Sequence, residues 1–290
     1  MSSIWLHDAD RTDFPNLALM KISAWYKANG YAVEWFQPIL YRGGLVYSSK
    51  VFTFTHDDPY LPKSAIKAGI GYGSSETLSD VIEHVCPDYS LYGVDYSLGF
   101  LTRGCIRNCE WCFVPQKEGK ISAHADIEEF TRHKDVVLMD NNVLAHDHGI
   151  AQLEKIARLG LRVDFNQGLD ARLIDDQIAR RLAKIKWLKP IRLACDHKGQ
   201  MESVRRAVEA LRWHNATPRR YFCYVLVKDV EDAVERVRFL KGIDVDAYAQ
   251  PYIDKDGTPP TAEQKHFARW VDMKAEFKSR TWEEYRDKTS

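Results

Sequence analysis

Residues 97–112, SLGFLTRGCIRNCEWC, place three cysteines directly after a short apolar segment. The segment 97–101 predicts a buried strand, and Cys105, Cys109 and Cys112 follow in the loop behind it. In α/β barrels, the loops at the carboxyl ends of the parallel strands carry the chemistry. This stretch therefore predicts the first strand of a parallel array and the place of a functional site.

Downstream of this stretch, short apolar runs alternate with amphipathic segments. Including the first, the predicted strands are 97–101, 135–139, 161–165, 191–195, 221–227 and 245–249. The predicted helices between them are 126–133, 149–159, 174–185, 200–215 and 230–241. Such alternation is typical of parallel strands joined by right-handed crossovers. We therefore predict an α/β fold with a curved six-stranded sheet or partial barrel.

The chain before this array predicts a smaller α/β unit. Its expected elements are strands at 4–6, 31–36 and 49–55 and helices at 16–29 and 75–84. Asn29-Gly30 is placed to end the first helix, and Ser75 to cap the second. This order of strand, helix and strand is typical of a Rossmann-like domain.

These patterns divide the chain into three parts. We predict an N-terminal Rossmann-like domain over 1–90, the six-stranded array over 91–255 and a C-terminal helical extension over 256–290. The segment 256–260, DGTPP, interrupts the alternation, and 261–286 predicts one or two terminal helices.

The composition describes a folded protein with an uneven charge distribution. The 290 residues are 45% hydrophobic, and 41 Lys and Arg balance 41 Asp and Glu. Residues 178–220 nevertheless hold twelve Lys or Arg against three Asp or Glu, a net charge of +9. We expect these cations to cover solvated outer helices; the alternative is a surface for RNA, DNA or a phosphorylated protein, since clustered cations attract phosphate. The arginines concerned are Arg180, Arg181, Arg205, Arg206 and Arg212.

The sequence carries no recognisable targeting or membrane-spanning segment. It has no apolar run of about 18 residues, and residues 1–14 lack a basic region followed by an apolar stretch. We therefore expect a cytoplasmic protein. Six cysteines are too few for a disulfide scaffold in a chain of this length, so we expect reduced thiols.

Cysteine is a common metal ligand, so the three clustered cysteines are candidates for a metal site. A structural zinc site needs four ligands, usually as two spaced pairs, and the spacing of the nearest histidine, His124, does not recommend it. Three thiolates on a four-iron cluster would instead leave one iron open to a small molecule, which suits catalysis. A zinc knuckle is the alternative interpretation.

The segment resembles the radical S-adenosylmethionine superfamily, whose motif is C-x3-C-x2-C with an aromatic residue before the last cysteine, here Trp111. The resemblance implies a partial (β/α)6 barrel, a [4Fe–4S] cluster on Cys105, Cys109 and Cys112, and S-adenosylmethionine on the open iron. It implies an enzyme, an oxidoreductase or a transferase, that cleaves S-adenosylmethionine to methionine and a 5′-deoxyadenosyl radical, which abstracts hydrogen from substrate. It also implies an electron donor such as flavodoxin or ferredoxin.

The resemblance assigns the end of the second strand to the methionyl amino group of S-adenosylmethionine. Asp140, Asn141 and Asn142 stand there and can offer the acceptors that an ammonium needs. They depart from the family's frequent Gly-Gly-Glu form, and Asp and Asn also favour an ordinary strand-to-helix turn.

Polar side chains also follow the third, fourth and sixth strands. Asp170 can accept from ribose hydroxyls or cap the next helix, Arg172 can pair with a carboxylate, and Asp196 ends the fourth strand near the same cofactor site. The residues that we expect to face substrate are Asn166, Gln167, Gln250 and Tyr252. Cys195 and Cys223 fall in predicted strands, where free cysteine packs as a small apolar residue.

The N-terminal unit resembles a shortened form of the cobalamin-binding domain that some radical S-adenosylmethionine families carry. The sequence lacks the Asp-x-His-x-x-Gly motif that presents a histidine to cobalt, so we expect no cobalamin and a role in capping the barrel or recognising substrate. Two alternatives stay open: a cobalamin-assisted radical methyltransferase, and a non-enzymatic zinc or iron–sulfur module that binds nucleic acid. The substrate is not identified; a nucleic acid, a nucleotide and a protein all fit.

Overall fold

The computed structural model describes residues 3–216, 221–254 and 257–289. The chain is mixed α/β, with parallel sheets and a helical C-terminal tail. Within the described ranges, no helix combines the length and the apolarity that crossing a membrane requires.

The chain divides into two compact units. The first unit combines Met1–Gly99 with Ala125–Lys134, and the second combines Phe100–His124 with Asp135–Ser290. The clustered cysteines therefore belong to the second unit. The division predicted at residues 90 and 255 stays a prediction.

Strands and helices are numbered here in chain order. The strands are β1 Ile4–Asp8, β2 Val33–Trp35, β3 Leu45–Ser49, β4 Ile66–Ala68, β5 Ser97–Gly99, β6 Thr102–Arg103, β7 Ser122–Ala123, β8 Asp135–Leu138, β9 Arg162–Phe165, β10 Lys186–Trp187, β11 Ile191–Ala194, β12 Tyr221–Val227 and β13 Asp246–Pro251. The helices are α1 Leu17–Ala28, α2 Asp80–Glu83, α3 Val114–Lys117, α4 Ile127–Phe130, α5 Asp147–Leu159, α6 Asp176–Leu182, α7 Met201–Trp213, α8 Val230–Gly242, α9 Ala262–Asp272, α10 Lys274–Ser279 and α11 Trp282–Thr289.

Four parallel strands form the sheet of the first unit, in the order β2-β1-β3-β4. Helix α1 begins after Asn16, whose side-chain oxygen accepts a hydrogen bond from the backbone N–H of Leu19 (3.3 Å). Leu19 and Ile22, three residues apart, pack with Ile4 and Leu6 of β1 in one buried cluster. This packing holds the helix against the sheet.

The strand predicted at 49–55 is wrong, because β3 lies earlier and the chain leaves the sheet after it. The carboxylate of Asp10 instead binds backbone and side-chain donors of the residues that were predicted to continue the strand. It accepts hydrogen bonds from Val51 N (2.6 Å), Phe52 N (3.3 Å) and Thr55 Oγ1 (2.6 Å). Side-chain bonds of this kind compete with a sheet ladder.

The helix predicted at 75–84 is also wrong in extent. Only α2 forms, and Ser79 precedes it instead of Ser75. Ser74 Oγ accepts a hydrogen bond from Glu76 N (3.2 Å), which gives this stretch a local turn in place of a helix. Strands β4 and β10 were not predicted, since two or three residues carry no periodic pattern.

Two parallel sheets and one antiparallel ribbon build the second unit. Strands β8, β9 and β10 pair in the order β10-β9-β8, and β11, β12 and β13 pair in chain order. The backbone N–H of Leu169, behind β9, donates to the carbonyl of Arg192 on β11 (2.8 Å) and so links the two sheets. The strands predicted from residue 97 onward are confirmed to within two residues. Cys195 and Cys223 are fully buried.

Aromatic side chains hold the C-terminal tail together. Helix α9 begins with Thr261 and Gln264 capping each other's backbone N–H groups. The buried rings of Trp270 and Trp282 lie 5.8 Å apart, and that of Phe277 lies 5.0 Å from Trp270. The predicted helical tail is confirmed, but it holds three helices packed on an aromatic cluster where one or two were expected.

The arginines of the basic stretch lie on α6 and α7, as predicted, and acidic or carbonyl groups pair with them. Arg205 bonds to both Glu202 (2.6 Å) and Glu209 (2.7 Å). The other pairs are Arg180 with Asp176, Arg181 with Glu154, Arg206 with Glu202, and Arg212 with the carbonyls of Ile243 and Asp244. The net charge of +9 is therefore partly neutralised by residues from outside the stretch.

Arg236 of α8 is the largest fully buried side chain among the described residues. Its guanidinium donates to the carbonyl of Cys195 at the end of β11 (2.7 Å), to the carbonyl of Leu226 on β12 (2.9 Å) and to the carboxylate of Asp232 (2.6 Å). One side chain thus ties a helix to the carboxyl ends of two neighbouring strands.

We predict that Arg236→Ala lowers the free energy of unfolding by about 3–5 kcal/mol, because it leaves buried carbonyls without donors and Asp232 without its cation. Arg238→Ala on the same helix breaks only the exposed pair with Glu283 and should cost about 1 kcal/mol or less. Urea unfolding followed by circular dichroism measures both. Equal losses in the two variants would contradict the role given to Arg236.

Candidate functional site

An antiparallel ribbon holds the cysteine loop. Strands β6 and β7 pair Thr102 with Ala123 and Arg103 with Ser122, so residues 104–121 form a closed loop. Gly104 enters this loop with φ +79°, and a Cβ there would stand 2.4 Å from the carbonyl oxygen of Lys120. Only glycine fits this close approach.

The three cysteine thiols are free and half-buried, and the backbone of their own loop donates hydrogen bonds to two of them. Arg107 N donates to Cys105 Sγ (3.3 Å) and Val114 N to Cys112 Sγ (3.4 Å). Cys112 N also donates to the carbonyl of Cys109 (3.0 Å), which fixes a tight turn between these two cysteines. N–H groups directed at cysteine sulfur tune the reduction potential of iron–sulfur clusters.

The loop forms one wall of a cavity of about 450 Å³, and the remaining walls come from the ends of successive strands. Segments behind β8, β9 and β11 supply them. The predicted site residues that line the cavity are Cys105, Cys109, Cys112, Trp111, Asn141, Asn142, Gln167, Asp170, Arg172 and Asp196. The chain thus brings together residues that are up to about ninety positions apart.

Asn142 connects the cysteine loop with the opposite wall. Its Nδ2 lies 3.4 Å from both Cys105 Sγ and Asp170 Oδ2. Its Oδ1 is buried and has no hydrogen-bond partner within the described part of the chain. A buried amide oxygen without a donor is costly, so this cavity offers an acceptor to a ligand that carries an N–H or O–H group.

Asp170 stands between two arginines. Its carboxylate accepts from Arg172 Nε (2.6 Å) and Nη2 (3.0 Å) and from Arg107 Nε (3.0 Å). Burial acts to raise the pKa of Asp170, but the bonds from Arg172 and Arg107 outweigh it and hold this pKa below its usual range. Asp170 also accepts from the backbone N–H of Arg172 (3.1 Å) and so caps the short 3₁₀ turn Ala171–Leu173, whereas Asp175 caps α6, the helix predicted to follow.

Asp196 reaches the cavity from the end of β11. Its carboxylate accepts from Leu226 N (3.2 Å), and its own backbone N–H donates to Gln200 Oε1 (2.6 Å). Burial raises the pKa of this carboxyl. Trp111 lies on the same side of the cavity, with its ring edge-on to that of His197 at 6.2 Å.

Four predicted site residues lie outside the cavity lining. Asn166 Oδ1 accepts from Arg192 Nη1 (3.3 Å), and Arg192 also pairs with the buried carboxylate of Asp164. Gln250 and Tyr252 belong to β13 and the segment that follows it. The fourth residue is Asp140.

Asp140 is buried beneath the cysteine loop. Its carboxylate accepts from the backbone N–H groups of Leu101 (3.1 Å) and Thr102 (2.6 Å) and from Thr102 Oγ1 (2.7 Å). These bonds fix the end of β8 against the chain that enters β6. In this structure Asp140 positions the loop and does not face the cavity.

Sequence reasoning missed three polar residues of the cavity. Arg107 lies between Cys105 and Cys109, and this position in the sequence could have marked it as a site residue. Gln200 and Ser203, at the start of α7, also line the cavity, and no motif marks them.

The donor set fits an iron–sulfur cluster with a bound zwitterionic ligand. The thiols are free, they share one cavity, and they lie near two guanidiniums and an unpartnered amide oxygen. In residues 3–216, 221–254 and 257–289, no three His, Cys, Asp or Glu side chains are grouped to hold a metal ion. The cysteines of an iron–sulfur cluster bind different irons, so a cluster does not require three thiols around one ion.

Comparison with known proteins gives no match, either to a protein-family model or to a curated sequence. The functional argument therefore rests on the residues and on their geometry.

We predict a pH signature for Asp140, whose pKa burial raises to about 6. Aspartate in an unfolded chain titrates near pH 3.9, so ionisation of Asp140 opposes folding. Its contribution to stability is therefore full below about pH 4 and is lost as the pH rises through about 6, by about 3 kcal/mol.

Urea unfolding of the wild type and of Asp140→Asn between about pH 4 and 8 measures this contribution. The difference between the two unfolding free energies should fall from about pH 4 to 6 and stay level above about 7. A difference that does not change with pH would show that Asp140 titrates normally.

Proposed function

We propose that this protein is a radical S-adenosylmethionine enzyme, and that its second unit is a partial (β/α)6 barrel. The observation that carries the proposal is one cavity lined by Cys105, Cys109 and Cys112 and by the unpartnered oxygen of Asn142. The cysteine motif alone indicates only a cluster. The cavity adds space for the small molecule that would bind the open iron.

Cys105, Cys109 and Cys112 hold a [4Fe–4S] cluster in this proposal. When bound and reduced, the cluster supplies one electron to the sulfonium of S-adenosylmethionine, giving methionine and a 5′-deoxyadenosyl radical that takes hydrogen from substrate. The N–H groups of Arg107 and Val114 and the amide of Asn142 lie at hydrogen-bonding distance from cysteine sulfur. They stabilise negative charge on the sulfurs and so affect the reduction potential.

The polar wall binds the methionyl end of S-adenosylmethionine. Asn142 Oδ1 accepts from the ammonium, which satisfies the buried oxygen. Arg172 gives Nε and Nη2 to Asp170, and its Nη1 has no partner in the described structure, so this nitrogen can donate to the carboxylate. Asp170 keeps the guanidinium in place, a different role from the ribose contact first expected of it.

The walls of the cavity also limit access of water. Trp111, Phe113 and Leu169 give it apolar surface beside the thiols. An electron donor such as flavodoxin or ferredoxin is the partner that this chemistry needs, because the reaction consumes one electron for each cleavage.

We predict that Cys105→Ser, Cys109→Ser and Cys112→Ser each abolish 5′-deoxyadenosine formation and lower bound iron to near zero, since two thiolates do not hold the cluster. Anaerobic reconstitution of the wild type should give about four irons per chain. Iron analysis and chromatography of the nucleoside are the measurements.

Cys86→Ser is the matched control, because Cys86 is a free cysteine of the first unit. It should retain iron and activity. One zinc and no iron in the wild type would overturn the proposal and favour the zinc module instead.

We predict that Asn142→Ala weakens binding of S-adenosylmethionine about tenfold or more while iron content stays close to that of the wild type. The loss is that of a hydrogen bond to a charged group. Anaerobic calorimetry on the reconstituted protein measures it. Gln177→Ala, an exposed amide on α6, should bind as the wild type does. Unchanged affinity in Asn142→Ala would remove this residue from the site.

A further inference from the structure

A second cavity, of about 390 Å³, lies in the first unit at the carboxyl ends of β1 and β2. Open parallel sheets bind ligands in crevices outside the carboxyl ends of their strands, and this volume is within the range of small-molecule pockets. The radical chemistry proposed above makes no use of this cavity.

Aromatic rings form the walls of this cavity. Trp35, at the end of β2, and Tyr92 stand edge to face with their centroids 5.1 Å apart. Phe36 stands in the same way beside His7, at 6.0 Å. These rings are fixed, because His7 Nδ1 bonds to Ser48 Oγ (2.8 Å) and the Tyr92 hydroxyl donates to Asp8 (2.7 Å). Fixed rings favour a flat, aromatic ligand.

Arg11 adds a positive charge to the lining of the cavity. Its φ is +47°, a left-handed conformation that Asn and Asp tolerate but that costs an arginine free energy. Asp8 Oδ1 holds the turn by accepting from the backbone N–H groups of Asp10 and Arg11, both at 3.3 Å.

The guanidinium of Arg11 has no hydrogen-bond or ion-pair partner among the described residues. The oxygens of Asp8, the acidic residue of the lining, are taken by backbone N–H groups and by Tyr92. Arg11 is exposed and lines the cavity, so its planar cation can meet a ligand beside the aromatic walls. Planar guanidiniums suit phosphate, which they bind in a bidentate manner.

We propose that this cavity binds a nucleoside monophosphate group, with the base against the aromatic walls and the phosphate on Arg11. Helix α1, which follows β1 directly, begins at the same edge of the sheet, and the N–H groups of its first turn favour an anion there. The group can belong to a free nucleotide or to the end of a nucleic acid strand.

Calorimetry on the full-length protein tests the proposal with AMP, GMP, CMP and UMP, with the matching nucleosides and with a short adenylate oligonucleotide. At least one monophosphate should bind at least tenfold more tightly than its nucleoside. Tighter binding of AMP than of the oligonucleotide identifies a free nucleotide as the ligand, and the reverse identifies a strand end. Failure of every monophosphate to bind overturns the proposal.

Arg11→Gln should weaken binding of the monophosphate about tenfold and leave the nucleoside within about twofold. Arg11→Gly should do the same without lowering the Tm, since glycine adopts the left-handed turn freely, and this variant separates loss of phosphate binding from misfolding. Arg42→Gln is the matched control, because Arg42 is an exposed arginine of the same unit that bonds only to the carbonyls of Ile39 and Tyr41.

Two results with these variants would overturn the proposal. One is equal weakening by Arg42→Gln. The other is weakening by Arg172→Gln but not by Arg11→Gln, which would place the nucleotide in the cysteine cavity. The measurement needs neither iron nor S-adenosylmethionine, so its failure leaves the proposed function of the second unit untouched.

Discussion

The buried carboxylate of Asp140 determines where the cysteine loop stands. It accepts hydrogen bonds from the backbone N–H groups of Leu101 and Thr102 and from the hydroxyl of Thr102. These two residues lead into the ribbon that carries the loop. Because Asp140 lies two residues after the end of β8, the loop is aligned with the carboxyl edge of the parallel strands, where Asn142 also stands. The hydrogen bond from Asn142 to Cys105 depends on this alignment.

Several buried charges of the second unit are paired with an opposite charge or with carbonyl groups. Asp170 is placed between Arg107 and Arg172, Asp164 pairs with Arg192, and Arg236 is satisfied by two carbonyls and a carboxylate. The pairs Arg107–Asp170 and Arg192–Asp164 join segments far apart in sequence, so these two pairs fix the relative positions of strand ends more than they add stability. An unpaired group in such surroundings, such as the oxygen of Asn142, stands out as a place for a ligand.

Local patterns were enough to predict much of the fold and of the cysteine site. Strand 221–227 is a continuous apolar run in the sequence, YFCYVLV, and this run was enough to predict it. Long-range bonds were beyond such reasoning: the carboxylate of Asp10 ends β3 from about forty residues away. Arg107 escaped notice for the same reason, since its partner Asp170 is distant in sequence. The role of Asp140 likewise depends on groups that no spacing rule connects with it.

The pairing of β6 with β7 has a thermodynamic consequence for assembly of the site. Closing a free loop as long as 104–121 costs roughly 2–3 kcal/mol of conformational entropy. The pairing of β6 with β7 offsets this cost during folding. The thiols are therefore gathered before any inorganic component arrives. If the proposed cluster binds here, its loading and loss would be local events at the rim of an already folded scaffold, and a chain that has lost its cluster would be refilled without refolding.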